Sequence, residues 1–238
     1  MTELLGTTEA PPLSSPAPER TAAEPLPPRA KPRMRGVSHE VATFVAVPAV
    51  AVLLAHASGP LATLGAAIYG ATLVTLFGVS AVYHRRFWSL RLRQIVGRID
   101  HSAIFLLIAG TYTPFGLALG PGPGYVALAV VWAGALAGIV LVVGFQVGKR
   151  VRAGIYVLLG WVALPLMPRL LGALGPVPLT LLLLGGFFYT VGAVIYGARR
   201  PDPFPLTFGF HEIFHALTIA AAACHYAVVW AAVDALGR

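Results

Sequence analysis

The chain has few charged residues and almost no cysteine, and each shortage excludes a class of protein. Charged side chains make up 11% of the 238 residues, whereas a soluble domain carries about 25%. The chain therefore has too few charged side chains to form a protein whose whole surface is in contact with water. The single cysteine, Cys224, excludes a disulfide framework and a cysteine-based zinc site. A membrane protein is the class that fits, because 57% of the residues are hydrophobic and they occur in long blocks.

The excess of positive charge is spread along the chain between the apolar blocks. A formal net charge of +8 would indicate a nucleic-acid partner in a soluble protein. Here Lys and Arg lie in short connections between apolar segments, where they set membrane topology. We therefore predict no nucleic-acid partner, and we predict membrane lipids as the solvent and a possible substrate. No pattern in the sequence specifies an oligomer.

The chain divides into a proline-rich tail and an apolar domain. Residues 1–36 are rich in Pro, Ala, Glu and Arg, and we predict a disordered cytoplasmic tail. Residues 37–238 contain apolar segments of about the 20 residues that a spanning helix needs. The predicted spans are 37–56, 61–84, 100–119, 125–146, 153–172, 178–197 and 210–233. The predicted fold is all-α, an integral membrane bundle of seven transmembrane helices.

Lys and Arg in the connections predict the orientation of this bundle. Five lie before the first span, five between the second and third, three between the fourth and fifth, and two between the sixth and seventh. The opposite side carries only Arg169 and Arg238. Since the positive side is the cytoplasm, we predict a multi-pass plasma-membrane protein with a cytoplasmic N-terminus and an outer C-terminus.

Ionisable residues inside spans are costly and usually functional, and here they gather at one side of the membrane. They are His84 at the end of the second span, with the polar Ser80 one turn before it, Asp100 and His101 opening the third, His211, Glu212 and His215 opening the seventh, and His39 and Glu40 opening the first. The predicted topology brings all of these residues to the cytoplasmic side. Residues far apart in sequence are therefore expected to converge at one depth.

The spacing of the histidines points to a metal. His211 and His215 are one helical turn apart, so both imidazoles share a helical face. With His84 from a neighbouring helix they form a three-histidine set, which leaves a fourth position open as catalytic zinc sites do. We predict Zn²⁺ as the cofactor, since zinc lowers the pKa of its bound water to about 7. Asp100 is the predicted general base or water-orienting residue, and Ser80 the predicted hydrogen-bonding partner of water or substrate.

Simpler roles stay open for the same residues. A histidine at the end of a membrane helix often only contacts headgroups. Asp100 can pair with Arg98 or cap its helix, and Ser80 can donate to a carbonyl one turn earlier. His225 lies about 15 Å along the helix from His215, at about 1.5 Å per residue. A packed or hydrogen-bonded side chain is therefore predicted for His225.

A competing motif overlaps the last two histidines. His211-Glu212-Ile213-Phe214-His215 matches H-E-x-x-H, in which the glutamate is the general base of a metalloprotease. Inside a span the motif indicates an intramembrane protease. Such proteases need a later aspartate ligand, whereas the only acid after the motif is Asp234, at the opposite face of the membrane. The protease is therefore the less favoured hypothesis.

Together these residues resemble the progestin and adipoQ receptor superfamily, and within it the bacterial hemolysin III branch. The segments that carry the resemblance are Ser80-Ala81-Val82-Tyr83-His84, Arg98-Ile99-Asp100-His101, Gly110-Thr111-Tyr112-Thr113-Pro114 and His211-Glu212-Ile213-Phe214-His215. The resemblance implies a seven-helix fold with the N-terminus inside and zinc held by His84, His211 and His215.

The resemblance also implies three functions of different kinds. The first is a metal-dependent hydrolase of membrane lipid amides or esters, similar to the alkaline ceramidases. The second is a non-enzymatic sensor of membrane state, or a homeostasis protein, with a structural metal. The third is a pore-forming cytolysin. Secreted pore formers are usually soluble first, which this chain cannot be, so the hydrolase and the sensor are preferred.

Overall fold

The structure is a computed structural model that describes residues 31–145 and 147–238. The predicted disordered tail therefore lies, for residues 1–30, outside the described residues. Residues 31–36 pair with a turn before the last helix. Arg33 donates its backbone N–H to the carbonyl of Leu206 at 3.0 Å, and Met34 donates to that of Thr207 at 3.1 Å. The segment just before the first helix is thus held against the bundle.

Within the described residues, seven helical segments are long and apolar enough to cross a membrane. Six spans are single helices: α1 (Val37–His56), α2 (Pro60–Arg85), α3 (Leu90–Leu119), α4 (Pro123–Gly144), α7 (Pro176–Ala198) and α8 (Phe210–Gly237). The fifth span is composite and consists of α5 (Lys149–Gly160), a 3₁₀ segment (Trp161–Leu166) and α6 (Met167–Leu174). The predicted all-α, seven-helix membrane fold is confirmed.

The third helix begins at Leu90, earlier than the predicted start at residue 100. Ser89 caps it by accepting the backbone N–H of Leu92, and its first turns are basic. Hydropathy detects only the part of a helix that lies in hydrocarbon, whereas a cap and basic side chains let this helix continue into the headgroup region. Asp100 and His101 therefore lie inside α3, although they were predicted to open it.

A side chain of α3 compensates for the break in the composite fifth span. Pro165 lies within the 3₁₀ segment and has no N–H to donate. The Tyr112 hydroxyl, from α3, donates to the carbonyl of Gly160 at 2.7 Å and accepts the N–H of Ala163 at 2.7 Å. Irregular backbone is tolerated inside a membrane where protein groups satisfy it in this way.

The central helices are α3 and α8. Helix α8 packs against α7, α3, α2 and α1, and α3 packs against α2, α4 and α8. The outer helices expose large apolar side chains such as Phe44 and Phe187, as lipid contact requires. This arrangement brings the end of α2, the early turns of α3 and the starts of α1 and α8 together at one side of the bundle.

Candidate metal centre

Three imidazoles meet where the end of α2 approaches the start of α8. His84, His211 and His215 each offer one ring nitrogen, and these three atoms lie within 4.8 Å of one another. The Nε2 atoms of His84 and His211 are 3.2 Å apart. Two nitrogens bound tetrahedrally to one zinc at about 2.0–2.1 Å are about 3.3 Å apart. The three predicted ligands are therefore close enough to hold one metal ion.

Buried polar atoms beside the three imidazoles support this fit. The Nδ1 atom of His215 and both ring nitrogens of His39 are buried without a hydrogen-bond partner among the described residues. Buried polar atoms in proteins normally have partners. An all-nitrogen donor set surrounded by such atoms fits a centre that holds a metal ion with associated water.

Asp100 lies beside the three imidazoles. Its Oδ2 atom is 3.9 Å from Nε2 of His84 and 3.5 Å from Nδ1 of His101, and the residue is 8% exposed. In the part of the chain that the structure describes, no ion pair joins it to Arg98. The carboxylate is therefore oriented toward the centre, where it can accept a proton or orient a water molecule.

Ser80 is buried one turn before His84 on α2. Between residues 31 and 145, no hydrogen bond links its hydroxyl to the carbonyl of Leu76, the partner that a back-bonded serine would use. By contrast, Thr72 on the same helix does make such a bond, to Ile68 at 3.1 Å. The hydroxyl of Ser80 is thus not committed to its own helix.

His39 is the residue of this centre that sequence reasoning did not resolve. It is 2% exposed, and its ring stacks on that of His215 with centroids 3.7 Å apart and planes 6° apart. Its depth in the first turn of α1 was a signal, but the direction of a side chain depends on how the helix is rotated in the bundle. The stack covers one face of His215 and restricts the orientation of that imidazole.

The carboxylate of Glu212 makes structural contacts through both of its oxygens. It is 2% exposed, its Oε2 accepts the backbone N–H of Gly209 at 2.8 Å, and its Oε1 lies 2.6 Å from Nε of Arg35. The second contact is a close ion pair without hydrogen-bond alignment. Both oxygens are thus engaged, one with the helix start and one with a cation. The H-E-x-x-H hypothesis needs a carboxylate free to accept a proton from water, and this geometry does not provide one.

Residues 31–36 cover the centre on the side of the helix ends. Gly36 has φ of 81°, and a Cβ there would lie 2.7 Å from Cβ of His84, so glycine permits the close approach. Lys31 donates to the carbonyl of Arg86 at 3.3 Å. Burial, followed by repulsion from nearby arginines, lowers the pKa of Lys31. The covering segment is therefore in contact with the end of α2.

An apolar cavity of about 100 Å³ lies one helical turn from the centre. Ile104, one turn after Asp100, and Thr218, close to His215 on α8, both line it. Helices α2, α3, α5, α7 and α8 all contribute to the lining, which is mostly apolar. The cavity therefore adjoins the metal centre through Ile104 and Thr218, while Asp100 and the three histidines are not among the residues that line it.

His225 lies at the far part of the same cavity. Its Nε2 is 3.2 Å from the carbonyl of Leu182, and its ring meets Tyr189 edge-on at 5.4 Å. A Cβ at Gly185 would collide with the imidazole, so the glycine admits it. These contacts agree with the prediction that the His225 side chain is packed or hydrogen-bonded.

The whole centre lies in the part of the chain that matches known proteins. A family model described as "Haemolysin-III related" matches residues 29–226. Hemolysin-3 of Bacillus cereus is 32% identical over 193 residues, 79% of this chain and 84% of that protein. The Hemolysin-3 homolog of Bacillus subtilis (strain 168) is 32% identical over 203 residues, 80% of this chain and 88% of that protein. The Adiponectin receptor protein of Drosophila melanogaster is 28% identical over 181 residues, 68% of this chain and 40% of that protein.

Proposed function

The chain belongs to the haemolysin-III-related family of membrane proteins, and from that premise we propose that it is a zinc-dependent hydrolase of membrane lipid amides or esters. The observation that carries the proposal is the group of three imidazoles beside a buried carboxylate and an apolar cavity. Three imidazoles alone fit a structural metal equally well. The carboxylate and the cavity favour chemistry on a lipid.

The histidines, Asp100 and Ser80 have separate roles in the proposed hydrolysis. His84, His211 and His215 would hold the metal, and zinc is the best match to an all-nitrogen donor set. When bound, zinc polarises a carbonyl and makes water more acidic. Asp100 accepts the proton of the water whose oxygen joins the acyl carbon, and it returns that proton to the leaving amine or alcohol. Ser80 donates a hydrogen bond to the carbonyl oxygen.

The cavity determines how a lipid reaches these residues. Since residues 31–36 cover the helix ends, a substrate approaches sideways from the bilayer. Gly160 of α5 and Gly186 of α7 both line the cavity and offer little side-chain obstruction between those helices. The acyl chain lies in the cavity while its carbonyl group reaches the three histidines.

The orientation in the membrane is also a proposal. The distribution of Lys and Arg supports a plasma-membrane protein with a cytoplasmic N-terminus and an outer C-terminus. A Cys224→Ser background with either Ser58→Cys or Arg91→Cys tests this with an impermeant maleimide on intact cells. Labelling at position 58 and protection at position 91 is expected, and the reverse pattern would invert the topology.

A second candidate is a non-enzymatic sensor or homeostasis protein with a structural metal. Its specific support is the position of Asp100, 3.9 Å from Nε2 of His84, where a small movement would make it a fourth ligand. The name of the Bacillus relatives raises a pore as a third candidate. The mostly apolar lining of the cavity disfavours a water-filled path through the described bundle.

Metal content measured by plasma mass spectrometry tests the hydrolase proposal first. One zinc ion per chain is expected in the wild type and none in His211→Ala/His215→Ala. His225→Ala is the matched control, since it removes a buried histidine of α8 that lies outside the three-histidine group. Wild-type protein without metal after chelator-free purification would end the metal-enzyme proposal.

Turnover is the second measurement. The zinc-loaded protein in bilayers is expected to release fatty acid from N-acyl or ester lipids, and Asp100→Asn is expected to keep zinc and lose this release. Zinc binding with no release from any amide or ester lipid would favour the sensor.

A further inference from the structure

The acidic residues of the described bundle all have partners elsewhere than on α5. Glu40 pairs with Arg85, Glu212 with Arg35, Asp100 with His84 and His101, and Asp234 with Arg238, while Asp202 accepts the backbone N–H of Phe210. Helix α5 begins with Lys149, Arg150 and Arg152. Within residues 31–145 and 147–238, no acid lies in ion-pair distance of these three cations. The start of α5 therefore has uncompensated positive charge.

Arg152 differs from its neighbours in burial. Lys149 and Arg150 are exposed, whereas Arg152 is half-buried, and its Nε atom is buried with no hydrogen-bond partner among the described residues. Charge that only sets topology needs no more than contact with water and headgroups, and Arg150 has that contact. A buried guanidinium nitrogen is costly unless an acceptor or an anion faces it. A role in setting the orientation in the membrane therefore explains the position of Arg150 but not that of Arg152.

The cationic residues lie on the face of α5 that continues into the cavity. Lys149, Arg152 and Tyr156 are spaced i, i+3 and i+7, which places them along one helical face. Tyr156 lines the cavity, and its hydroxyl donates to the carbonyl of His101 at 3.0 Å. Arg152 thus lies one helical turn from the cavity wall. It is closer than Tyr156 to the start of α5, and it lies near the depth of Asp100.

Helix α7 connects these cations to the metal centre. The Lys149 Nζ atom lies 5.7 Å from the ring centroid of Tyr196. The same ring meets His211 edge-on, with centroids 5.6 Å apart. The ring of Tyr196 therefore lies between Lys149 and His211, one of the three histidines. A divalent metal at the three histidines would make the electrostatic potential around Lys149 and Arg152 still more positive.

We propose that Arg152 and Lys149 bind the phosphate of an anionic lipid headgroup, with the acyl chain of that lipid in the cavity. A guanidinium presents parallel N–H groups that match phosphate oxygens, and an ammonium adds a mobile point charge. The inference deepens the proposed function by naming the class of lipid, and it rests on that function for the position of the acyl carbonyl. Binding of the lipid itself requires no turnover.

Equilibrium lipid binding to the full chain in neutral detergent tests the subsite. The probes are brominated phosphatidylglycerol, phosphatidylcholine with the same brominated chains, and inorganic phosphate as a competitor without bromine. The readout is quenching of Trp161 in the cavity wall, in a background in which Trp88, Trp132 and Trp230 are replaced by Phe. Phosphatidylglycerol is expected to bind at least about tenfold more tightly than phosphatidylcholine, as charge-assisted hydrogen bonds imply. Arg152→Gln is expected to remove that preference, and Arg150→Gln, two residues away with the same change of charge, to keep it.

Three results would overturn the subsite. Equal weakening by Arg152→Gln and Arg150→Gln would mean diffuse surface charge. Equal binding of the two lipids would mean no anion site. Inorganic phosphate binding as tightly as phosphatidylglycerol would identify a soluble phosphate compound instead of a lipid. Arg152→Lys keeps the charge for the case in which the Gln variant does not fold, and a weakened but persistent preference is expected from it.

The proposed lipid-headgroup subsite and the proposed hydrolase activity can be refuted independently of each other. Selective binding of phosphatidylglycerol without release of fatty acid would leave the subsite standing and remove the enzyme. Hydrolysis that is equally fast for both lipids and unchanged in Arg152→Gln would leave the enzyme standing and remove the subsite.

Discussion

Glu212 provides the sharpest test of whether the H-E-x-x-H motif is structural here. Its Oε1 lies 2.6 Å from Nε of Arg35, and the side chains are 2% and 19% exposed respectively. At an effective dielectric of about 20 the attraction is about 6 kcal/mol, and desolvation of both charges offsets much of it. Removing one partner is therefore expected to cost more than the net value of the pair.

The two single variants are expected to differ in cost. Arg35→Met leaves a carboxylate buried with one backbone donor, at a cost of about 3 kcal/mol in the free energy of unfolding. Glu212→Gln leaves Arg35 able to turn toward water, and the amide oxygen still accepts the N–H of Gly209, so about 1 kcal/mol is expected. The double variant should be about as stable as Glu212→Gln, because the uncompensated charge is gone.

Unfolding in detergent, followed by circular dichroism, measures these differences, with zinc content measured on the same samples. Arg33→Met, an exposed arginine of the same segment, is the control and should cost little. Additive effects of the two single variants would refute the coupling. Loss of hydrolysis in Glu212→Gln with unchanged stability and zinc content would refute the structural role and restore the general-base hypothesis.

Three further predictions concern the surroundings of the metal. His39→Phe should retain zinc affinity while His39→Ala weakens it about 10–100-fold in a competition titration, because the stacked ring orients a ligand; equal losses would show that the nitrogens of His39 matter instead. Gly36→Ala should destabilise the protein more than Gly59→Ala in thermal unfolding, since both have positive φ but only Gly36 approaches His84; equal effects would mean that the approach is unimportant. Asp100→Asn should keep the cobalt absorption spectrum of a three-nitrogen site, and a lost or changed spectrum would identify Asp100 as a ligand.

Local patterns were sufficient for much of the fold and of the site. A spanning helix needs a length of apolar sequence, which can be read along the chain without knowing its neighbours. The spacing of His211 and His215 likewise defines a shared face on any α-helix. The early start of α3 and the 3₁₀ segment of the fifth span were missed, because Ser89 acts through a cap and Tyr112 through a tertiary contact with Gly160.

The sequence by itself determined which helices cross the membrane and which histidines share one depth, because hydrophobic length and helical period are local properties. Only the tertiary structure decided which way His39 faces, that Glu212 is engaged by Arg35, and that the Nε atom of Arg152 is buried one helical turn from the cavity wall. These features depend on the rotation and tilt of each helix. Rotation and tilt are set by packing against neighbouring helices, which no single stretch of sequence contains.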